Sequence, residues 1–244
     1  MRQNRLVAHR GYPNAFPENT LIGYQAAVAA GARFVELDVQ LSADRIPVLF
    51  HDRDMLRLCG HDGKIGDYTI ARLSQFKAGY FDRFGYRYAQ NPITRLDEFV
   101  SWLRKQPALT AFVEIKRISL EQFGVDTVVK TIIDVIQPAE RQCVLISYSL
   151  DALAHARKLG WSQVGAVIDD WKGHESAAVR SLAPQYFFCD YATLPRFGKL
   201  IIPGIKTAVY ETTDTQLAIR LMDRGIDLVE TFEIRDMVDT VSSV

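Results

Sequence analysis

Short apolar runs recur along the chain, separated by stretches whose apolar positions repeat at helical spacing. The runs at residues 6–9, 34–39, 112–116, 144–147, 164–168, 186–189, 205–209 and 228–231 read as strands. Helical patterns fill the gaps: from Asn19 or Thr20 through Ala30, and over 94–105, 120–136, 150–159 and 215–224. Strands alternating with helices imply a parallel sheet with helices outside it. Eight strands favour a closed (β/α)8 barrel, the TIM-barrel architecture, and a chain of 244 residues suits it. No glycine-rich phosphate loop follows the first strand, which weakens the open doubly wound alternative.

Two segments depart from this alternation. The second strand runs on through Val39-Gln40-Leu41, turns at Ser42 to Arg45 and returns through Ile46 to His51. A two-residue turn at Ala43-Asp44 sets Ser42 against Arg45 and His51 against Glu36, on one face of the hairpin. Residues 52–91 are then rich in Gly, Tyr and Phe, with a helix-like start only at Asp67 to Leu73. So long an irregular stretch reads as a small inserted region after the second strand of a single domain spanning 1–244.

The chemistry begins with acids where core residues belong. Strand alternation puts Val35, Leu37 and Val39 on one side and Phe34, Glu36 and Asp38 on the other. Glu114 repeats the pattern between Val113 and Ile115. Enclosed carboxylates repel each other and lose hydration unless a cation or a proton relieves them, and oxygen donors suit a hard divalent ion such as Mg²⁺ or Ca²⁺. An ordinary polar strand end, or an acid pairing with Lys116, would produce the same pattern on either strand alone. His9, Glu36, Asp38, Glu114 and Lys116 all fall at C-terminal strand ends, where barrels collect their chemistry. His61, His155 and His174 have no such surroundings and read as surface or packing residues.

Composition narrows the partners. Lys plus Arg and Asp plus Glu each total 29, so the formal charge is zero, and no basic field recruits nucleic acid or an anionic membrane. No apolar run has transmembrane length and the N-terminus carries no h-region, so a soluble, cytoplasmic protein without stable membrane association is expected, with a homo-oligomer left open. Cys59, Cys143 and Cys189 lie far apart in or near apolar runs, which suits buried free thiols in a reducing compartment.

The ordered set His9-Arg10-Gly11, Pro17-Glu18-Asn19-Thr20, Glu36-x-Asp38, His51-Asp52 and Glu114-Ile115-Lys116 resembles the glycerophosphodiester phosphodiesterase family in order and spacing. The likeness extends more weakly through Ser147-Tyr148-Ser149 and Gly225-Ile226-Asp227. It implies a TIM barrel with an insertion after His51 and one divalent cation, Mg²⁺ or Ca²⁺, held by Glu36, Asp38 and Glu114. It also implies acid–base work by His9 and His51 and phosphate contacts from Arg10 and Lys116. Glu18, Asn19 and Asp52 are supporting residues: Glu18 and Asn19 fix a loop or cap a helix, and Asp52 orients His51 or a loop amide. The expected reaction cuts a small-molecule glycerophosphodiester to glycerol 3-phosphate and an alcohol, in glycerophospholipid degradation. The alternatives are a lysophospholipase D-like phosphodiesterase on the same barrel, or a binding barrel without turnover.

The chain departs from the family near its end. Where many members have Trp-Thr-Val-Asn it reads Thr207-Ala208-Val209-Tyr210, and the usual Thr-Asp-x-Pro becomes Thr231-Phe232-Glu233-Ile234. Thr207 and Tyr210 are therefore expected in an altered substrate wall.

Overall fold

The computed structural model describes residues 2–242; of the 1–244 span, Met1, Ser243 and Val244 lie outside the described residues. Its strands are β1 (Leu6–Ala8), β2 (Phe34–Leu41), β3 (Pro47–Leu49), β4 (Thr110–Ile115), β5 (Cys143–Ser147), β6 (Val164–Val167), β7 (Tyr186–Asp190), β8 (Lys206–Tyr210) and β9 (Leu228–Thr231). All but β3 pair in parallel, and β1 pairs with both β2 and β9, which closes the ring of a (β/α)8 barrel. β3 lies outside the ring, antiparallel to β2.

Alternation sorts each barrel strand into two layers. Val35, Leu37 and Val39 face outward into the main core with Phe99, Val129 and Ile132 from the surrounding helices. Phe34 points inward and stacks on Phe112, ring centroids 5.9 Å apart, among Val144, Ile146, Phe188 and Leu228. Two residues further along their strands the inward positions become Glu36 and Glu114. An apolar plug thus fills the lower barrel, and the acids sit above it, towards the C-terminal mouth.

The hairpin differs from its expected register. Val39 pairs with Leu49, Gln40 with Val48 and Leu41 with Pro47, so Ser42 faces Ile46 across a three-residue loop. Arg45 takes a left-handed conformation (φ 62°), the geometry in which a turn is followed by one αL residue. This shifts every pair by one, and Leu37, not Glu36, lies in line with His51. His51 nevertheless reaches the mouth, because the strand ends at Leu49. Beyond it the Gln40 amide donates to the carbonyls of Phe50 (3.0 Å), His51 (3.3 Å) and Asp52 (2.7 Å) and turns the chain inward.

Two helical expectations also change. The pattern at 120–136 is two helices, Arg117–Phe123 and Val125–Ile136, broken at Gly124 (φ 79°). No α-helix lies between β7 and β8, where a short 3₁₀ turn, Tyr191–Thr193, and an extended loop take its place. The inserted residues fold into short helical turns, including Leu56–Cys59, Ile70–Leu73 and Phe81–Phe84, around a separate cluster of Val48, Phe50, Met55, Leu58, Ile65 and Leu73. None of these turns is long enough to stand alone, and burial of that shared cluster holds them together.

The cysteines are free; Cys143 and Cys189 are buried and Cys59 half-buried, and burial pushes each thiol up to about 12. His61 stacks on Phe76, His155 meets Asp126 and His174 packs on Trp171, all packing or surface contacts. No helix among the described residues is long and apolar enough to cross a membrane.

Candidate active site

The loop after β1 brings the first residues in. Gly11 has φ 91°, and a Cβ there would sit 3.1 Å from the Gly23 carbonyl carbon, so only glycine lets this loop lie against the helix Leu21–Ala29. Arg10 and Asn19 both adopt φ 56°, a costly backbone state that their contacts hold in place. Arg10 donates its backbone N–H to Glu36 Oε2 (3.2 Å), while its guanidinium meets Glu18 Oε1 (3.2 Å) and Asp38 Oδ2 (3.3 Å). Thr20 caps the helix, accepting from the Gly23 N–H. Asn19 is thereby free for Asp38, to which it donates through Nδ2 (2.8 Å), while its Oδ1 accepts from the Asp38 N–H (3.1 Å) and the Tyr24 hydroxyl (2.9 Å).

Glu36, Asp38 and Glu114 converge, one oxygen from each within 4.8 Å of the others. Lys116 Nζ lies 3.0 Å from both Asp38 Oδ1 and Glu114 Oε1. Glu36 Oε1 is buried and, among the described residues, accepts no hydrogen bond. Burial, then repulsion from Asp38 and Glu230, raises the Glu36 carboxyl well above the usual range. Burial also raises Glu114, partly offset by Lys116. Burial alone would raise Asp38 too, but Lys116, Arg10 and His51 hold it below the usual range. Three convergent carboxylates, with the buried Glu36 Oε1 left without a donor, fit a hard divalent cation, so the acids are positioned to hold a metal.

The two histidines flank this cradle. His9 Nε2 lies 3.6 Å from Glu36 Oε2, its Nδ1 is held in a short contact by Glu211, and its ring stacks on Phe232 at 4.9 Å. Burial and the neighbouring Arg10 lower the His9 pKa, against the pull of Glu211. His51 Nδ1 meets Asp52 Oδ1 at 2.9 Å. Glu18, His51 and Asp52 also converge like metal ligands, but Arg57 pairs with both carboxylates and already balances their charge.

Two cavities open at the mouth. An inner one of about 440 Å³ reaches down to His9, Glu36 and Glu230, and an outer one of about 990 Å³ lies against the inserted region. They share His51, Glu114, Lys116 and Tyr148. Tyr210 lines the inner cavity, where it accepts a hydrogen bond from Tyr148 (2.9 Å) and donates to Asp169 (3.3 Å). Thr207 lies elsewhere, which corrects its expected place in the wall. It is 1% exposed, on the outward face near the base of β8, with its N–H and hydroxyl both donating to Asp227 Oδ2.

The structure adds residues that the motifs did not single out: Glu211, Glu230, Phe232 and Arg57. Glu230 had a readable signal, since Leu228-Val229-Glu230-Thr231 repeats the acid-in-a-strand pattern of Glu36. It is buried, burial and Glu211 raise its carboxyl well above the usual range, and among the described residues its Oε1 accepts no hydrogen bond. Glu211, Phe232 and Arg57 sit on loops or short turns where alternation says nothing.

The closed ring makes the chain a TIM barrel whose mouth carries acids positioned to hold a metal. A model of the glycerophosphoryl diester phosphodiesterase family matches residues 9–188, and the chain belongs to that family. It is 30% identical over 189 residues to a glycerophosphodiester phosphodiesterase of Caldanaerobacter subterraneus subsp. tengcongensis, covering 75% of this chain and 76% of that protein. Its match to an uncharacterized protein of Mycobacterium tuberculosis, 33% identical over 118 residues, covers 46% of this chain and only 38% of the relative. Likewise 59% of the chain matches 57% of a Bacillus altitudinis glycerophosphodiester phosphodiesterase, at 30% identity. Among solved structures, an Oleispira antarctica phosphodiesterase in complex with the product sn-glycerol-3-phosphate superposes with a TM-score of 0.85 at 25% identity, over 98% of this chain and 96% of that one.

Proposed function

We propose that this protein hydrolyses glycerophosphodiesters to glycerol 3-phosphate and an alcohol, as its family and the Oleispira antarctica neighbour's bound product support. The observation that carries the reading is the three-carboxylate cradle set between two carboxylate-held histidines. Glu36, Asp38 and Glu114 hold one divalent cation, Mg²⁺ or Ca²⁺, which when bound supplies neutralising charge for the phosphate's nonbridging oxygens. Arg10 and Lys116, at the cradle's edge, bind the same phosphate. Glu211 engages His9 Nδ1 and leaves Nε2 to accept a proton, so His9 is the general base. Asp52 engages His51 Nδ1, and His51 is the general acid that donates to the leaving alkoxide. Glu18 and Asn19 support Arg10 and Asp38.

The glycerol phosphate occupies the inner cavity and the leaving alcohol the outer. That outer wall carries Arg53, Asp54, Asp82 and Arg117 together with the apolar Leu56, Phe81, Ile118 and Tyr148, so it offers charged partners to a polar head group and apolar surface as well, and the substrate panel below separates this reading from a lysophospholipase D-like one. In this reading 1–244 acts as one domain, with 52–91 forming part of the outer wall, on a small molecule in glycerophospholipid degradation. Free thiols support a cytoplasmic setting. The test measures glycerol 3-phosphate release from a panel of glycerophosphodiesters, and choline release from lysophosphatidylcholine, with Mg²⁺, Ca²⁺ or a chelator. Release of glycerol 3-phosphate that the chelator abolishes is expected; turnover of the lysolipid alone would overturn the substrate assignment.

A further inference from the structure

Arg57 lies in the inserted region, in the short helix Leu56–Cys59, and its guanidinium joins two carboxylates from distant parts of the chain. Nη1 donates to Glu18 Oε2 and Nη2 to Glu18 Oε1, each at 2.8 Å. Nε donates to Asp52 Oδ2 at 2.7 Å and Nη2 to Asp52 Oδ1 at 2.9 Å. The Tyr80 ring, 5.1 Å from Cζ, packs against the guanidinium and fixes its plane. Asp52 Oδ1, gripped from this side, is the oxygen that meets His51 Nδ1 at 2.9 Å. Glu18 Oε1 is likewise shared with Arg10 Nη1 at 3.2 Å. One planar cation therefore ties the loop after β1, the turn after β3 and the insertion into a single frame.

The geometry needs a fork and not merely a charge. A guanidinium can grip two carboxylates at once, two bonds to each, whereas an ammonium is a point donor that leaves both free to rotate. Freed on one side, Asp52 would swing and carry the His51 imidazole with it. We propose that Arg57 is a positioning residue: acting through Asp52, it sets the angle at which His51 faces the space between the two cavities. This rests on the proton-transfer role given to His51 above. It also assigns the insertion a part in the reaction beyond walling the outer cavity.

The experiment compares wild type, Arg57→Gln, Arg57→Lys, His51→Ala and the double variant Arg57→Gln/His51→Ala. Each is assayed on a natural glycerophosphodiester and on one with a nitrophenol leaving group, on which residual turnover of slow variants is measurable. Thermal melts report folding, and Arg57→Lys, which keeps the charge, carries the comparison if Arg57→Gln does not melt cooperatively. Expected is a loss of about 10- to 100-fold in kcat for both Arg57 variants on the natural substrate, with KM little changed. The double variant should be no slower than His51→Ala alone, because a residue acting through His51 has nothing left to position. Losses that multiply in the double variant, a raised KM at unchanged kcat, or full kcat in Arg57→Lys would each overturn the proposal. If His51→Ala itself keeps wild-type rates, the failure lies instead with the role given to His51.

Discussion

Asn19 holds Asp38 at both ends of its amide, accepting from the Asp38 N–H at 3.1 Å and donating to Asp38 Oδ2 at 2.8 Å. Its left-handed backbone, φ 56°, is what turns the side chain onto the acid. Asn19→Gly keeps that backbone available and removes the clamp together with the acceptor of the Tyr24 hydroxyl, so the fold should survive with a lowered melting temperature, which a thermal melt checks first. Partners of this kind typically govern metal affinity by about 10- to 100-fold. Calorimetric titration with Mg²⁺ and Ca²⁺ should show a loss of that size, and unchanged affinity would mean that Asp38 is not a ligand or needs no orienting.

The metal-free barrel carries a pH-dependent cost at Glu36. Its carboxyl is raised in the folded state by burial and by Asp38 and Glu230, so the native protein binds that proton more tightly than the unfolded chain. The cost is absent below the unfolded value of 4.5 and grows as pH rises from there towards the folded value. Glu36→Gln removes it. With a chelator present, the variant should melt higher than wild type at neutral pH, by about 2–4 °C per kcal/mol of relieved repulsion, and the gap should close near pH 4. Added Mg²⁺ or Ca²⁺ should reverse the order by stabilising wild type alone. A gap independent of pH would show that the ionised Glu36 is not the source.

Thr207 and Tyr210, alike in sequence prominence, should part company in the laboratory. Thr207→Val strips a hydroxyl partner from Asp227 and should cost about 1 kcal/mol of stability with substrate preference unchanged. Tyr210→Phe breaks the Tyr148–Tyr210–Asp169 chain beside the inner cavity. It should shift the ratio of kcat/KM between small and large head groups, since selectivity is set by such contacts. A shifted ratio in Thr207→Val and none in Tyr210→Phe would contradict the wall described here.

What was legible in the sequence follows what is periodic in it. The barrel strands and the inward turn of Glu36, Asp38 and Glu114 came from alternation, which the closed ring enforces along its length. The hairpin register did not, because it turns on whether Arg45 adopts a left-handed conformation, and arginine composition carries no sign of that. Thr207 was misplaced by relying on family position, although strand parity with Val209 already pointed it away from the interior. Arg57 escaped notice because its partners, Glu18 and Asp52, lie 39 and 5 positions away, and no local pattern brings three such segments together.

The two histidines should be separable by the leaving group. Glu211 occupies His9 Nδ1 and Asp52 occupies His51 Nδ1, so each ring keeps Nε2 for the proton transfer proposed for it, and the opposite assignments rest on surroundings. His9 is part-buried at the inner cavity, and desolvation there with Arg10 favours its neutral form, whereas His51 stands at the shared opening of both cavities against an ionised Asp52. A nitrophenolate departs without a proton, so the general acid becomes dispensable on that substrate while the base does not. His51→Ala should therefore lose about 10²- to 10⁴-fold in kcat/KM on a natural glycerophosphodiester and far less on the nitrophenyl analogue. His9→Ala should be impaired equally on both. The reverse pattern would exchange the roles, and near wild-type rates for both variants on the natural substrate, with metal affinity intact, would remove acid–base catalysis from these residues altogether.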